Sequence, residues 1–379
     1  LLYFLRLELR GFIGDIACMS KRLEFESPPL TPSPDSPAAL GYRFPAEWEP
    51  HAATWLAWPH KPETWPGKFE PIPGVWAELV RTISRYEPVQ LCCGGESVMQ
   101  QARQLVGHFA NVTLHDFATN DVWARDHGPM FLVPNKSAAA GSLEPALVDW
   151  EYNAWGGKYP PFDLDNAIPA QIAKLLGMRR FTPGIILEGG AVDGDGQGTL
   201  LTTEQCLLNP NRNPHLSREQ VEQYLADYCG TRKVLWLGEG IEGDDTDGHI
   251  DELARFVGPA TVVCSVEENP KDANHGPLGA NFQRLMRMTD AAGTPLRVVP
   301  LPMPEPLYYD DQRLPASYMN FYIANGVVVV PTFDQPTDAA VLQRLTELFP
   351  QRHVRGINAV DLFWGLGAFH CITQQQPQQ

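Results

Sequence analysis

The chain has 379 residues, 44% of them hydrophobic and 20% charged, enough for a large core and incompatible with wholesale disorder. Its formal net charge of −16 disfavours nucleic acid and membrane as partners, since both select basic patches, and suits a small cationic ligand. The seven cysteines are odd in number and show no regular framework, so a reduced, cytoplasmic compartment is expected.

The apolar start is broken by Arg6, Glu8 and Arg10, too often for a signal-peptide core or a bilayer span. Met19-Ser20-Lys21-Arg22 reads as an ordinary cytosolic start, and residues 1–18 are expected to be an upstream extension. Residues 27–37 are rich in Pro and Ser and read as a linker. Residues 1–40 are thus expected outside the fold, with a single catalytic domain over 41–377.

Residues 53–58 are an apolar strand stopped by Pro59. Trp76, Leu79, Val80 and Ile83 recur at helical spacing, predicting a helix over 74–86. A strand over 89–93, with Cys92 and Cys93 in the core, precedes a helix over 97–106, for which Ser97 is a candidate cap. After a strand at 112–114, residues 119–129 form a loop opening into a strand at 130–133. That loop carries Trp123, Arg125, Asp126 and His127, and a surface turn with an Asp–Arg pair would account for it equally well.

Beyond the Gly156-Gly157 turn, residues 167–176 are helical in pattern. Residues 185–190 read as an apolar strand ending in Glu188 and two glycines. A glutamate after three aliphatics is rarely buried unpaired, so Glu188 calls for a cation, from the protein or from a ligand. Residues 193–198 resemble half a calcium loop and are read as a hairpin turn. Ser217 and Gln220 have capping-box spacing at the head of a helix over 217–229, which Gly230 ends. Residues 243–252 then run into a strand at 253–257. In an extended segment His249 and Asp251 would share one side. Further strands are expected at 261–266, 296–300, 325–331 and 353–357, and helices at 281–288 and 338–349. Strand and helix alternate with no composition break, which predicts an α/β fold, and no internal repeat is visible.

Near the C-terminus Cys371 follows Gly365 and Gly367, small residues that let backbone approach a ligand. A lone cysteine is more often structural than reactive. Its company changes that reading, because Asp126, Glu188, His249 and Asp251 supply a base and a surplus of acids. Several carboxylates would oppose an oxyanion, so the electrophile is expected to be a cation. A guanidinium, planar and paired by two parallel hydrogen bonds to a carboxylate, fits. Cys371 would add to its carbon, and His249 would protonate the leaving ammonia and then activate water.

Several stretches together resemble the agmatine deiminase family of the guanidine-modifying pentein superfamily. They are Trp55-Leu56-Ala57-Trp58-Pro59, Trp123-Ala124-Arg125-Asp126-His127-Gly128-Pro129, Asn153-Ala154-Trp155-Gly156-Gly157, Leu187-Glu188-Gly189-Gly190, Leu201-Thr202-Thr203-Glu204-Gln205-Cys206, Gly248-His249-Ile250-Asp251, Ser317-Tyr318-Met319-Asn320-Phe321 and His370-Cys371-Ile372-Thr373. The resemblance implies a five-bladed α/β propeller of ββαβ units, with Cys371 as nucleophile and His249 as acid and base. It places Asp126 and Asp251 on the guanidinium and Glu188 on His249 or the substrate, and makes Trp123, Arg125 and Glu204 support or pocket wall. It implies no metal and no organic cofactor, a homo-oligomer, and N-carbamoylputrescine and ammonia as products in polyamine metabolism. One departure stands out. Many members carry Gly-Gly-Gly-Asn-Ile-His-Cys where this chain has Gly365-Leu366-Gly367-Ala368-Phe369-His370-Cys371.

The rival substrates are peptidyl-arginine, free arginine and a methylarginine. Arginine-type substrates call for a cation at the far end of the pocket, whereas the agmatine ammonium calls for an acid or an aromatic ring. A metal-dependent hydrolase built on Asp244, Asp245, Asp247, His249 and Asp251 is a reading of another class, weakened by the lack of a second histidine at ligand spacing. A binding protein without turnover is the third.

Overall fold

The strand and helix patterns assemble into five sheets of three or four strands and one two-stranded hairpin, in a computed structural model that describes residues 29–135 and 143–378. Each of the five sheets joins an antiparallel pair to a parallel strand reached through a helix. In the third sheet Asp193–Gly194 pairs antiparallel with Thr199–Thr203, and the helix Arg218–Cys229 returns the chain to the parallel strand Lys233–Leu237. The fourth repeats this with Ala254–Gly258, Thr261–Val266, the helix His275–Leu285 and Arg297–Pro302. The fifth uses Tyr322–Ile323, Val327–Thr332, the helix Pro336–Leu348 and His353–Asn358. The second adds Tyr42–Arg43 to Met130–Pro134, Ala146–Val148 and Arg179–Phe181. The first takes its antiparallel strand from the far end of the chain: Gln374–Pro377 lies beside His51–Ala57, followed by Val89–Cys92 and Val112–His115.

The α/β expectation therefore holds, and a repeat absent from the residues is present in the topology. Hydrogen-bond pattern and apolar periodicity define each unit, and many sequences satisfy them. The cores are ordinary. Trp55, Trp58, Trp65 and Trp76 are all buried in the largest cluster, alongside Cys92 and Cys93. Among the described residues no helix is long and apolar enough to cross a membrane.

Several local expectations need correction. Residues 29–40 are not a free linker. Leu30 N donates to Arg232 O, Ser33 N to Asp227 Oδ1 and Ala38 N to Asp227 O, and Leu40 packs on the second core cluster. A Pro-rich segment with no core of its own can still cover another element. The rest of that N-terminal expectation, residues 1–28, lies outside the described residues. The helix Glu96–Val106 starts after Gly95 and has no side-chain cap, so Ser97 sits inside it. Residues 185–188 are no strand. Ile186 meets Glu151 in a single bridge, and the Asn213 side chain occupies its N–H and C=O where a neighbouring strand would. The helix predicted at 281–288 begins at His275, since Pro277 falls in its first turn, where proline is tolerated. The segment after His249 is not extended but a 3₁₀ turn, Ile250–Glu252.

The expected loop 119–129 holds a one-turn helix, Ala124–His127, with all four residues buried. His127 is 2% exposed and both ring nitrogens lack a partner. Burial pulls its pKa down to about 3, so the folded chain holds it neutral. The unfolded chain takes up this proton near the ordinary value of about 6.5. Its stabilising share is thus complete above that pH and is lost as pH falls toward 3. Urea unfolding at pH 7 and pH 5 should show a loss on the order of 2 kcal/mol from this group. His127→Leu should lack that share. An equal pH 7 to pH 5 difference in variant and parent would refute the assignment.

Candidate active site

The turn that leads into the first antiparallel strand of each unit carries a polar side chain inward. Asp126 precedes Met130–Pro134, Glu188 precedes Asp193–Gly194, and His249 and Asp251 precede Ala254–Gly258. Asn320 precedes Tyr322–Ile323 and Cys371 precedes Gln374–Pro377. Gly190 shows how closely three of them converge. A Cβ there would lie 2.6 Å from His249 Nδ1, 2.7 Å from Asp126 Oδ1 and 3.1 Å from Asp251 Oδ2. Cys371 Sγ is 3.7 Å from Asp251 Oδ2. The five residues singled out in the sequence are therefore neighbours, and Cys371, Asp126 and Trp123 line a cavity of about 760 Å³.

Asp126 is fixed from two sides. Gly190 N donates to its Oδ1 at 2.9 Å and Trp155 Nε1 to its Oδ2 at 3.0 Å. Trp155 reaches it from a left-handed turn in which Ala154 (φ 52°) and Trp155 (φ 54°) join Gly156 and Gly157 at positive φ. Two non-glycine residues held there cost on the order of 1–3 kcal/mol each, a strain typical of functional turns. Burial pushes the Asp126 pKa up to about 6, with His249 opposing and Asp251 and Glu188 adding. His249 Nδ1 is 3.8 Å from Asp126 Oδ1. Burial alone would lower the His249 pKa, but Asp126, Cys206 and Glu188 raise it to about 10, so it is an imidazolium at neutral pH.

Glu188 does not face the cavity. It is fully buried and its Oε1 accepts from Arg212 Nε at 2.6 Å, so the cation it called for comes from the protein. Arg125 and Asp126 do not pair with each other. Arg125 donates to Gln375 and to the His370 carbonyl, and lies 3.4 Å from Glu47 Oε2. Glu204 lies outside the site, ion-paired to Arg218 and Arg284. Gly365 and Gly367 line the cavity, yet a Cβ on either would strike an indole, Trp65 or Trp123. They make room for tryptophan.

Sequence reasoning missed Glu47, Arg212, Glu252, Asn320 and the local role of His370. His370 donates through Nδ1 to Asp251 Oδ2 at 2.6 Å and through Nε2 to Glu47 Oε2 at 2.8 Å. This bond to His370 holds the Asp251 carboxyl below the usual range despite burial, which acts to raise it. Burial, with Asp251 and Asp244, pushes Glu252 well above that range. Burial, then Asp251, Glu252 and Asp126, likewise push the Cys371 thiol up. Asn320 and His370 stood in the family-like stretches and Glu252 closed the acidic run 243–252, whereas Glu47 and Arg212 carried no such signal.

The acids proposed for a metal site do not converge as ligands. Asp244 accepts from Thr246 and Gly248 within its own turn, and Asp247 binds Lys158, Asn211 and Arg212. Two other sets, Glu188–Cys206–His249 and Asp251–Glu252–Cys371, bring side-chain atoms within 4.8 Å of one another. One oxygen of Glu188 is committed to Arg212 and one of Asp251 to His370, and we read both sets as acid–base groups and assign them no metal.

The cavity has a marked charge bias. Glu63, Asp121, Asp126, Glu242, Asp244, Asp245 and Asp311 line it, seven carboxylates against the two cations Lys61 and Arg313. Both cations are spoken for, Lys61 by Asp121 at 3.1 Å and Arg313 by Asp272 at 2.7 Å. Trp123, Trp155, Tyr159 and Trp364 supply aromatic walls.

Residues 43–377 match the model of the Porphyromonas-type peptidyl-arginine deiminases. An agmatine deiminase of Ectopseudomonas mendocina is 36% identical over 371 residues, covering 92% of this chain and 99% of that one. One of Pseudomonas aeruginosa is 37% identical, with coverages of 90% and 97%. Among solved structures, the agmatine deiminase of Enterococcus faecalis superposes with a TM-score of 0.84 at 34% identity, covering 90% of this chain and 98% of that one. A cysteine-to-serine variant of the C. jejuni agmatine deiminase with substrate bound gives 0.81 at 31% identity, with coverages of 89% and 96%.

The Glu188–Arg212 pair yields a test that needs no substrate. Arg212→Met strands a fully buried carboxylate and should destabilise the fold by about 3–5 kcal/mol. Adding Glu188→Met should recover most of that loss. Denaturant midpoints of the single and double variants measure it, and additive losses would mean the two side chains are not coupled.

Proposed function

The chain belongs to the Porphyromonas-type peptidyl-arginine deiminase family, and on that premise we propose that it hydrolyses agmatine to N-carbamoylputrescine and ammonia. The surplus of carboxylates in the cavity carries the choice of substrate. The far end of agmatine is an ammonium, and every cation lining the cavity is already paired. An arginine-type carboxylate would meet acids there and no free cation.

The chemistry proceeds through Cys371. Its thiol releases its proton to solvent in the cavity as the cationic guanidinium enters, since a positive charge offsets the acids that raise it. The thiolate sulfur forms a bond to the guanidinium carbon, with Asp126 and Asp251 holding the nitrogens. His249, an imidazolium before the reaction, gives its proton to the departing nitrogen, and the C–N bond breaks to release ammonia. An amidino group remains on sulfur. Neutral His249 then takes a proton from water, whose oxygen attacks the same carbon. The C–S bond breaks, sulfur leaves as the thiolate, the remaining O–H proton of the product passes to solvent, and the product departs with its urea-type group neutral. Glu188 acts from behind, through its charge on His249. Trp123 forms one wall of the substrate cavity.

The five strand–strand–helix–strand units, each feeding the site from one turn, support a five-bladed α/β propeller of the pentein kind. The six described cysteines are free thiols, which fits a cytoplasmic setting. Homo-oligomeric assembly belongs to the same proposal.

Ammonia release should be measured on agmatine, free arginine and an arginyl peptide, for the parent chain and Cys371→Ala, with EDTA throughout. Release from agmatine alone, abolished in the variant, is expected. Release from an arginyl substrate would move the substrate, and activity surviving Cys371→Ala would overturn the nucleophile. Gly190→Ala adds a geometric check. Its backbone accepts alanine, but the new methyl must displace His249 and Asp126. A displacement of that size should lower kcat/KM on the order of 100-fold without unfolding the chain. Unchanged kcat/KM would mean those groups lie elsewhere during the reaction.

A further inference from the structure

Four of the five units contribute a residue already assigned to the chemistry. The fifth contributes Asn320. Its carboxamide is held at both ends. Asn320 Oδ1 accepts three backbone N–H groups of the nucleophile loop, from Ala368 at 3.1 Å, His370 at 3.0 Å and Cys371 at 3.2 Å. Three donors at one end fix which end is oxygen. The amide nitrogen then has to face the other way, and there it meets two acceptors. It donates to Glu252 Oε1 at 2.7 Å and to Cys371 Sγ at 2.9 Å. Asn320 is fully buried, so no water competes for these bonds.

We propose that Asn320 is a catalytic residue, one amide N–H of which holds the Cys371 sulfur in place and stabilises it as the thiolate. An N–H donates far better to an anionic sulfur than to a neutral thiol, so a fixed donor shifts the equilibrium toward the reactive form. The charged groups facing that sulfur are Asp251, Glu252 and Asp126, with His249 beyond Asp126, and all three acids oppose the thiolate. Among the polar groups around Sγ, Asn320 is the neutral donor working against them. The second N–H, on Glu252, stops the amide from turning away. Positioning and activation thus come from one side chain. The loop is held by the oxygen and the sulfur is addressed by the nitrogen.

The inference rests on the reading of Cys371 as the nucleophile, but its test needs no turnover. Thiolate absorbance and the rate of alkylation by iodoacetamide, with the Cys371 peptide identified by mass, are followed from about pH 6 to about pH 10 in the parent, Asn320→Ala and Asn320→Asp. The midpoint reports thiolate stability, and the plateau rate reports access and placement. Both variants are expected to raise the midpoint by about one unit or more, a tenfold slower alkylation below it. Asn320→Asp keeps an acceptor for the three backbone N–H groups, so it guards against a collapsed loop in the alanine variant. A lowered plateau at an unchanged midpoint would reduce Asn320 to a loop anchor and overturn the proposal. The acids around Sγ set the parent midpoint high, so below it the alkylation rates are compared at equal pH, and variant rates equal to the parent's would overturn the proposal too. If agmatine is not the substrate but the midpoint moves, Asn320 keeps its role. If agmatine turns over and the midpoint stays, Asn320 alone loses it.

Discussion

The fold depends on how it neutralises buried negative charge. Glu47, Asp126, Glu188, Asp193, Asp251 and Glu252 are all buried, and burying a carboxylate without a partner is costly. Arg255 does the most to make this tolerable. It is fully buried, and its guanidinium donates to Asp193 Oδ2 at 2.5 Å, to Glu47 Oε2 at 2.8 Å and to the carbonyls of Met319 and Phe321. One side chain of the fourth unit thereby ties together the third unit, the fifth unit and the segment before the first. Glu47 passes the link on to His370, which holds Asp251 beside the nucleophile. Removing Arg255 would leave two buried carboxylates facing each other.

The same arrangement explains why the substrate must be a cation. The fixed cations sit behind the carboxylates: Arg212 behind Glu188, and Arg255 behind Asp193 and Glu47. The cavity itself keeps an excess of negative charge, which a guanidinium and an ammonium together reduce. On the proposed mechanism, substrate binding and thiolate formation become one electrostatic event, because the entering cation is what allows a further anion among three acids.

Much of this was legible in the sequence. Ser217 with Gln220 made a true capping box, residues 193–198 a true hairpin turn, and the five residues of the inferred site do meet. Local chemistry writes such features into neighbouring residues. The parts that stayed hidden depend on partners far along the chain. Glu47 and Asn320 take their meaning from His370 and from the nucleophile loop, over 323 and 50 residues. Trp155 reaches Asp126 only because Ala154 and Trp155 adopt left-handed backbone that their side chains do not favour. Gln374–Pro377, all Gln and Pro, has little apolar character to mark it as a strand, and its pairing with His51–Ala57 closes the first sheet across almost the entire fold.

The departure at Leu366 and Ala368 can be weighed in these terms. Leu366 sits at φ 70°, a left-handed conformation that glycine adopts freely and a leucine pays about 1–2 kcal/mol to hold. Its side chain in return becomes part of the cavity wall. Ala368 lacks the side-chain amide that the family resemblance leads one to expect there, but the bond that holds the loop at this point comes from its backbone N–H to Asn320 Oδ1. A side-chain exchange at 368 leaves that bond untouched. The nucleophile therefore stays anchored while the wall beside it changes shape, which separates the two consequences of the altered motif. The anchoring of the loop rests on a main-chain contact that the residue at 368 does not alter, whereas Leu366 changes the lining of the cavity that Cys371 shares.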